Sequence, residues 1–379
     1  MERRSCTTLC FFLISCILFW IIPCSAISKD CIPSSNPLQL TRDSHYDRNP
    51  SILLADDGTY WLFFTRGQNS LGIRGYQGYD PDMDYYDIWY KQARSLEGLK
   101  RAVEIQMPLE PPATSQSAQR DVAAVQTRDG GIWVFSSPGY GPEGGSDRGI
   151  LYYIFDGSWT GPFIIHPGTY DGCGIGHIDA LEYKGRTWVI YDDCYTLKAT
   201  SLDPVSGWSL PIMIAEKATL GKAIAVDETL YVAWVYIDPA NGKWGTGIYL
   251  SASPDGTTWT PTASPVAAWN GLTNWDPVLI KDRDILRLFW APSDTEQFIA
   301  VTSSKTPMEP TSWTSPARVT EAHCGENSWW DFWPQPIHKG RNEGGTLALL
   351  YTSERNSDGT AMIDGNIWLE MVIPRWIDH

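Results

Sequence analysis

Beyond residue 26 the chain lacks any apolar run long enough to cross a bilayer as a helix, so no membrane span is expected in its body. Basic residues are in deficit, with 29 Lys and Arg against 44 Asp and Glu and a formal net charge of -15. Such a chain is repelled by nucleic acid and by anionic membrane surfaces, which leaves a neutral or cation-tolerant partner. Cysteine is sparse after residue 26, where only Cys31, Cys173, Cys194 and Cys324 remain, and no C-x-x-C pair occurs among them. That spacing speaks against a four-cysteine zinc site. No linker or low-complexity tail breaks the sequence, so residues 27-379 are read as a single domain.

The first 26 residues have the form of a secretory signal peptide: Arg3 and Arg4, an apolar run from Cys10 to Pro23, and small residues at Cys24-Ser25-Ala26. A lipobox at Cys24 and a retained anchor are the alternatives, the first disfavoured by Pro23 and the second by the shortness of the run. The mature protein is therefore expected to be secreted or held at the cell surface. In that setting an even cysteine count suggests disulfides. Cys173 and Cys194 flank a hairpin, Ile178 to Tyr183 and Thr187 to Asp192, that turns at Lys184-Gly185, so they are expected to pair and to leave Cys31 with Cys324.

What the chain has in excess is aromatic and turn-forming residues, with 19 Trp, 18 Tyr and 33 Gly. Its hydrophobic runs are about five to seven residues long, which indicates all-β structure rich in turns. One pattern repeats. "YWLFFT" from Tyr60 has counterparts in "IWVFSS" from Ile132, "TWVIYD" from Thr187, "LYVAWV" from Leu230, "LRLFWA" from Leu286 and "LALLYT" from Leu347. Each follows a short apolar strand and a turn; the first strands begin near Pro50, Val122, Ile178, Ala223, Pro277 and Pro336, at spacings of 72, 56, 45, 54 and 59 residues. A third strand follows in every unit, and this period is that of a four-stranded propeller blade. The last unit lacks a fourth strand, while "PLQLT" from Pro37 has no unit of its own. The expectation is a six-bladed β-propeller closed by that N-terminal strand, with a five-bladed ring as the alternative if the unit at Ala223 is not a true blade.

Ser253-Pro254-Asp255-Gly256-Thr257-Thr258-Trp259 resembles a contracted Asp box, and Arg48-Asn49-Pro50 resembles the Arg-Ile-Pro signature of the first blade, both marks of the sialidase and BNR-repeat superfamily. The "NP" and "DP" entries into inner strands are also similar to five-bladed arabinanase-type and invertase-type glycosidases. The sialidase resemblance implies a glycoside hydrolase in which Arg48 is the first of three substrate-binding arginines, an aspartate is the acid/base and a tyrosine is the nucleophile. No motif places the second and third arginines, and Tyr46 and Tyr170 are only guesses for the nucleophile.

In a propeller the residues just ahead of the inner strands converge on one rim. Here these are Asp47 and Arg48, Arg120 and Asp121, His177 and Asp179, Lys222, Trp275 and Asp276, and Asp331 and Trp333. Carboxylates crowded with cations shift one another's pKa values, and glycoside hydrolysis needs one carboxyl kept protonated and another group ionised. Asp47, Asp121 and Asp179 are the candidate catalytic acids and bases. Arg48, Arg120, His177, Lys222, Trp275, Asp276, Asp331 and Trp333 are the candidate substrate-binding residues, the tryptophans as stacking faces. Each Asp taken singly is more often a turn-tightening residue, since its side chain can bond its own backbone, and the functional case rests on many such residues meeting at one rim. No cofactor is required by this chemistry, although rim aspartates would also suit a structural calcium. The expected activity is cleavage of a terminal sugar by a monomeric enzyme. The alternatives are an inverting arabinanase-like glycosidase and a carbohydrate- or surface-partner-binding propeller without turnover.

Overall fold

The computed structural model describes residues 35-41, 46-68, 85-108, 121-137, 149-165, 175-238, 243-293, 297-320, 329-340, 347-356 and 362-372. Among them are no α-helix and no helix able to cross a membrane. Every repeat predicted from sequence is a blade. The inner, second and third strands are Tyr46–Leu54, Tyr60–Gln68 and Tyr85–Ala93 in blade one, and Asp121–Gln126, Ile132–Ser137 and Ile150–Phe155 in blade two. Blade three has Ile175–Tyr183, Arg186–Asp193 and Thr196–Asp203, and blade four has Ala218–Val226, Thr229–Asp238 and Lys243–Ser253. Blade five has Thr273–Asp282, Ile285–Ser293 and Ala300–Ser304, and blade six has Trp329–His338, Leu347–Asn356 and Met362–Val372. The inner strands contact one another in chain order and the last lies beside the first, so the ring has six members and the five-bladed alternative falls away. The unit at Ala223 is a full blade, with Thr260–Pro261 as its fourth strand. Of the N-terminal segment expected to complete blade six, Leu38 and Gln39 pair with Leu369 and Trp368.

Local sequence chemistry accounts for the hairpins. Lys184 and Gly185 carry φ of 50° and 74°, the positive pair of a two-residue turn whose twist matches that of the strands. Each blade is a slab buried on both faces, which is why its second strand is apolar at successive positions without alternation. Leu62 and Phe64 pack with Leu350 and Leu369 of blade six, whereas Trp61 and Phe63 pack with Val122 and Val134 of blade two. Blade four repeats this: Leu230, Val232 and Trp234 face blade three, and Ala233 and Val235 face blade five. The core is thus divided among the contacts between successive blades and contains side chains such as Trp188, Trp290 and Phe63. Each such ring or aliphatic side chain contributes roughly 1.5–3 kcal/mol by leaving water.

The inner strands depart from the sequence expectation at their start. They begin at Tyr46, Ile175, Ala218, Thr273 and Trp329 in blades one, three, four, five and six, several residues earlier than the apolar runs. The polar residues expected ahead of these strands therefore lie inside them. In each of the five a β-bulge interrupts the register, between Arg48 and Ser51, Gly176 and Asp179, Thr219 and Lys222, Trp275 and Val278, and Phe332 and Gln335. One residue in each bulge has positive φ: Asn49 (50°), His177 (30°), Leu220 (56°), Asp276 (49°) and Trp333 (46°). Blade two pairs without a bulge from Asp121 onward.

Candidate active site

A bulge re-aims side chains, because the inserted residue breaks the alternation that otherwise sends neighbours to opposite faces. The five positive-φ residues and Asp121 lie at equivalent levels of the six inner strands, and all six line one cavity of about 350 Å³, a volume that includes the solvent at its mouth. Lys222 and Gln335, each two residues further along, complete its polar wall. Two residues before each bulge residue the chain faces the opposite way, into the blade: Asp47, Ile175, Ala218, Asn274 and Asp331 are all buried.

Asp121 accepts three hydrogen bonds, from Asn49 Nδ2, from Ser137 Oγ (3.2 Å) and from the His177 backbone N–H (3.0 Å). His177 Nδ1 lies 3.0 Å from Asp192 Oδ2 and 3.2 Å from Thr219 Oγ1. Burial alone would lower the His177 pKa, but the carboxylates of Asp192, Asp121 and Asp276 outweigh it and push it up to about 9. Asp276 is pushed up to about 6, chiefly by burial, with His177 pulling it down, Asp121 raising it and Lys222 lowering it. Lys222 Nζ donates to Ile178 O (2.8 Å) and sits 3.7 Å from Asp179 Oδ1. Asp179 accepts the Ala223 N–H at 2.7 Å and so ties blade three to blade four; burial raises its pKa. The arrangement therefore sets a carboxyl inclined to hold its proton near a hydrogen-bonded carboxylate and an imidazole, with the face of Trp333 beside them.

Of the residues singled out from sequence, Asp121, His177, Lys222, Asp276 and Trp333 come together at this cavity. Asp47 and Arg48 do not line it. Asp47 is fully buried and receives Arg66 Nε at 2.6 Å and Arg66 Nη2 at 2.9 Å, while Arg66 also donates to Glu104 (2.7 Å). The guanidinium carbon of Arg48 lies 5.7 Å from the centroid of the Trp333 ring. Asp331 is buried in blade six, and Trp275 packs among the side chains of blades four to six. Arg120 lies outside the described residues, as do Cys31, Cys173 and Cys324, and with them both ends of the expected Cys31–Cys324 pairing and one end of the expected Cys173–Cys194 pairing. The turn at Ser253–Trp259 contributes nothing to the cavity. Asp255 Oδ1 accepts the N–H groups of Thr257 and Thr258 at 2.8 Å each, which holds its carboxyl well below the usual carboxylate range. Among the described residues no group of His, Cys, Asp and Glu forms a metal-binding cluster.

Sequence reasoning missed Asn49, Leu220 and Gln335 in the wall and Asp192 and Thr219 behind it. A signal for Asn49 was present, since Asn49-Pro50, Asp276-Pro277 and Trp333-Pro334 share the X-Pro step at the bulge. Asp192, on a second strand, had none.

No family model matches this chain, and no curated protein matches it. Solved structures do share its architecture. A protein of unknown function from Dyadobacter fermentans superposes with a TM-score of 0.62 at 14% identity, covering 90% of this chain and 99% of that one. A Trypanosoma rangeli sialidase mutant displaying trans-sialidase activity gives 0.61 at 12% identity, covering 91% of this chain and 60% of the sialidase. A Penicillium chrysogenum α-L-arabinanase complexed with arabinobiose gives 0.57 at 11% identity, covering 90% and 98%. The β-propeller fold is what this chain shares with the sialidase and the arabinanase. The chain spans about three fifths of the sialidase's length, and at these identities the likeness is one of fold.

Proposed function

We propose that this protein is an exported, monomeric glycoside hydrolase that removes a terminal sugar from a glycan, with Asp276 as the general acid and Asp121 as the ionised partner. The observation that carries this reading is the pairing, in one cavity, of Asp276, pushed up to about 6 mainly by burial, with Asp121, whose oxygens only accept hydrogen bonds. Asp276 would give its proton to the leaving oxygen, and Asp121 would act as base toward water or as nucleophile. Trp333 would stack on the sugar face, with Asn49, Lys222 and Gln335 meeting hydroxyls. Because Arg48 stands against Trp333 and does not line the cavity, the reading favours a neutral sugar over sialic acid. A carboxyl separation of about 5–5.5 Å in the substrate complex would mean retention and roughly 6.5–9.5 Å inversion. A binding propeller without turnover is the second reading, favoured by the three hydrogen bonds that already occupy Asp121.

The test is hydrolysis of a panel of aryl glycosides, including an arabinofuranoside and a sialoside, by the native protein, Asp276→Asn and Asp121→Asn. Loss of about 10²–10⁴-fold is expected in both variants. For Asp276→Asn the loss should shrink on substrates whose leaving group needs no proton. Absence of product with every glycoside, while glycan binding persists, would overturn the enzyme reading in favour of the second.

A further inference from the structure

Behind the cavity wall, one buried carboxylate is committed to the histidine. Asp192 is fully buried, at the far end of the second strand of blade three. Its Oδ2 accepts Thr219 Oγ1 and the Leu220 N–H (3.2 Å) from blade four, and it lies 3.0 Å from His177 Nδ1. Thr219 spends its one hydroxyl hydrogen on Asp192, so toward His177 Nδ1, 3.2 Å away, it presents a lone pair. Both neighbours of Nδ1 are therefore acceptors, which places a hydrogen on that nitrogen. Among the described residues two further carboxyl groups face the ring: Asp121 of blade two, which accepts the His177 backbone N–H, and Asp276 of blade five. Lys222 of blade four offsets part of this at Asp276 but is drawn to Ile178 O and Asp179. Asn49 and Trp333, from blades one and six, also line the cavity and carry no charge.

We propose that Asp192, with Thr219, is a positioning residue that holds His177 as a fixed imidazolium at the centre of the cavity, so that His177 acts as a resident cation between Asp121 and Asp276 and does not shuttle protons. The inference rests on the glycosidase reading only for its catalytic consequence; the charge state of His177 can be measured without any substrate. A permanent cation there stabilises the ionised form of Asp276 and so sets the pH at which Asp276 gives up its proton.

The experiment is a nitrogen-15 and proton NMR titration of the histidine rings in the full mature chain, with the His177 resonances assigned by their loss in His177→Gln. In the native protein both ring nitrogens of His177 should be protonated at pH 7.5, and the ring should titrate near 9. A neutral His177 ring at pH 7.5 overturns the proposal, and this arm needs no variant to fold. In Asp192→Asn the titration should fall from about 9 toward 6.5, the ordinary histidine value. An unchanged titration in a folded Asp192→Asn would show that Asp192 does not position the charge. On an active glycoside, the alkaline limb of kcat/KM should move to higher pH in Asp192→Asn, because Asp276 loses its cation. A purely structural role would lower activity at every pH without moving the limb, and that result also counts against the proposal. If no glycoside is turned over, the glycosidase reading fails while the ring titration still decides the inference.

Discussion

Replacing Asp47 with asparagine separates the two roles open to this residue. Its carboxylate is fully buried against Arg66, with distances of 2.6 and 2.9 Å, and Arg66 is itself only 3% exposed. Glu104 contacts the same guanidinium at 2.7 Å, and Lys91, 3.6 Å from Glu104, donates to Leu40 O at 2.6 Å. The cluster therefore ties the inner, second and third strands of blade one to the segment that carries Leu40. Removing one partner of a buried ion pair costs about 3–5 kcal/mol, because a charge is left without compensation. Here Glu104 still meets Arg66, which puts Asp47→Asn near the lower end, about 3 kcal/mol. For a chain of this size that corresponds to a fall in Tm of roughly 4 °C. Differential scanning calorimetry gives the shift, and kcat/KM measured well below Tm gives the activity, expected to stay within about threefold of native. An unchanged Tm together with a hundredfold or greater loss of activity would refute the assignment and return Asp47 to the catalytic site.

His177 has a folded-state pKa of about 9 against 6.5 ordinarily, so its contribution to stability is fully present below about 6.5 and is lost as pH rises through about 9. Asp276 works in a different window: its folded pKa of about 6 exceeds 3.8, so it lowers stability as pH rises from about 4 to about 6. Chemical denaturation across pH 4 to 10 should show both declines, and His177→Gln should remove the alkaline one. Gly256, at φ +77°, leaves no room for a side chain, since an added Cβ would lie 2.2 Å from the Trp188 ring. Gly256→Ala should therefore cost about 1–3 kcal/mol in urea unfolding followed by tryptophan fluorescence, with little effect on activity.

The sequence by itself determined the propeller, its repeating units and the residues that build them, while the structure chose six blades over five. Slabs buried on both faces demand continuous apolar second strands such as "YWLFFT" and "LYVAWV", and that demand is written at a regular period. It also pointed to Asp121, His177, Lys222, Asp276 and Trp333, because residues at the start of every inner strand must converge whatever their separation along the chain. Only the tertiary structure decided which neighbour faces the cavity. A β-bulge inserts one residue into a strand whose side chains alternate, so the residue at the bulge and the one two before it, which plain alternation puts on one face, point to different places. Asp47 thus went into the blade while Asn49 went to the mouth, and Asp331 was buried while Trp333 was exposed to the cavity. Asp192 was settled at the same level: its link to His177 and Thr219 joins two strands of blade three to blade four, and no local pattern encodes a contact across blades.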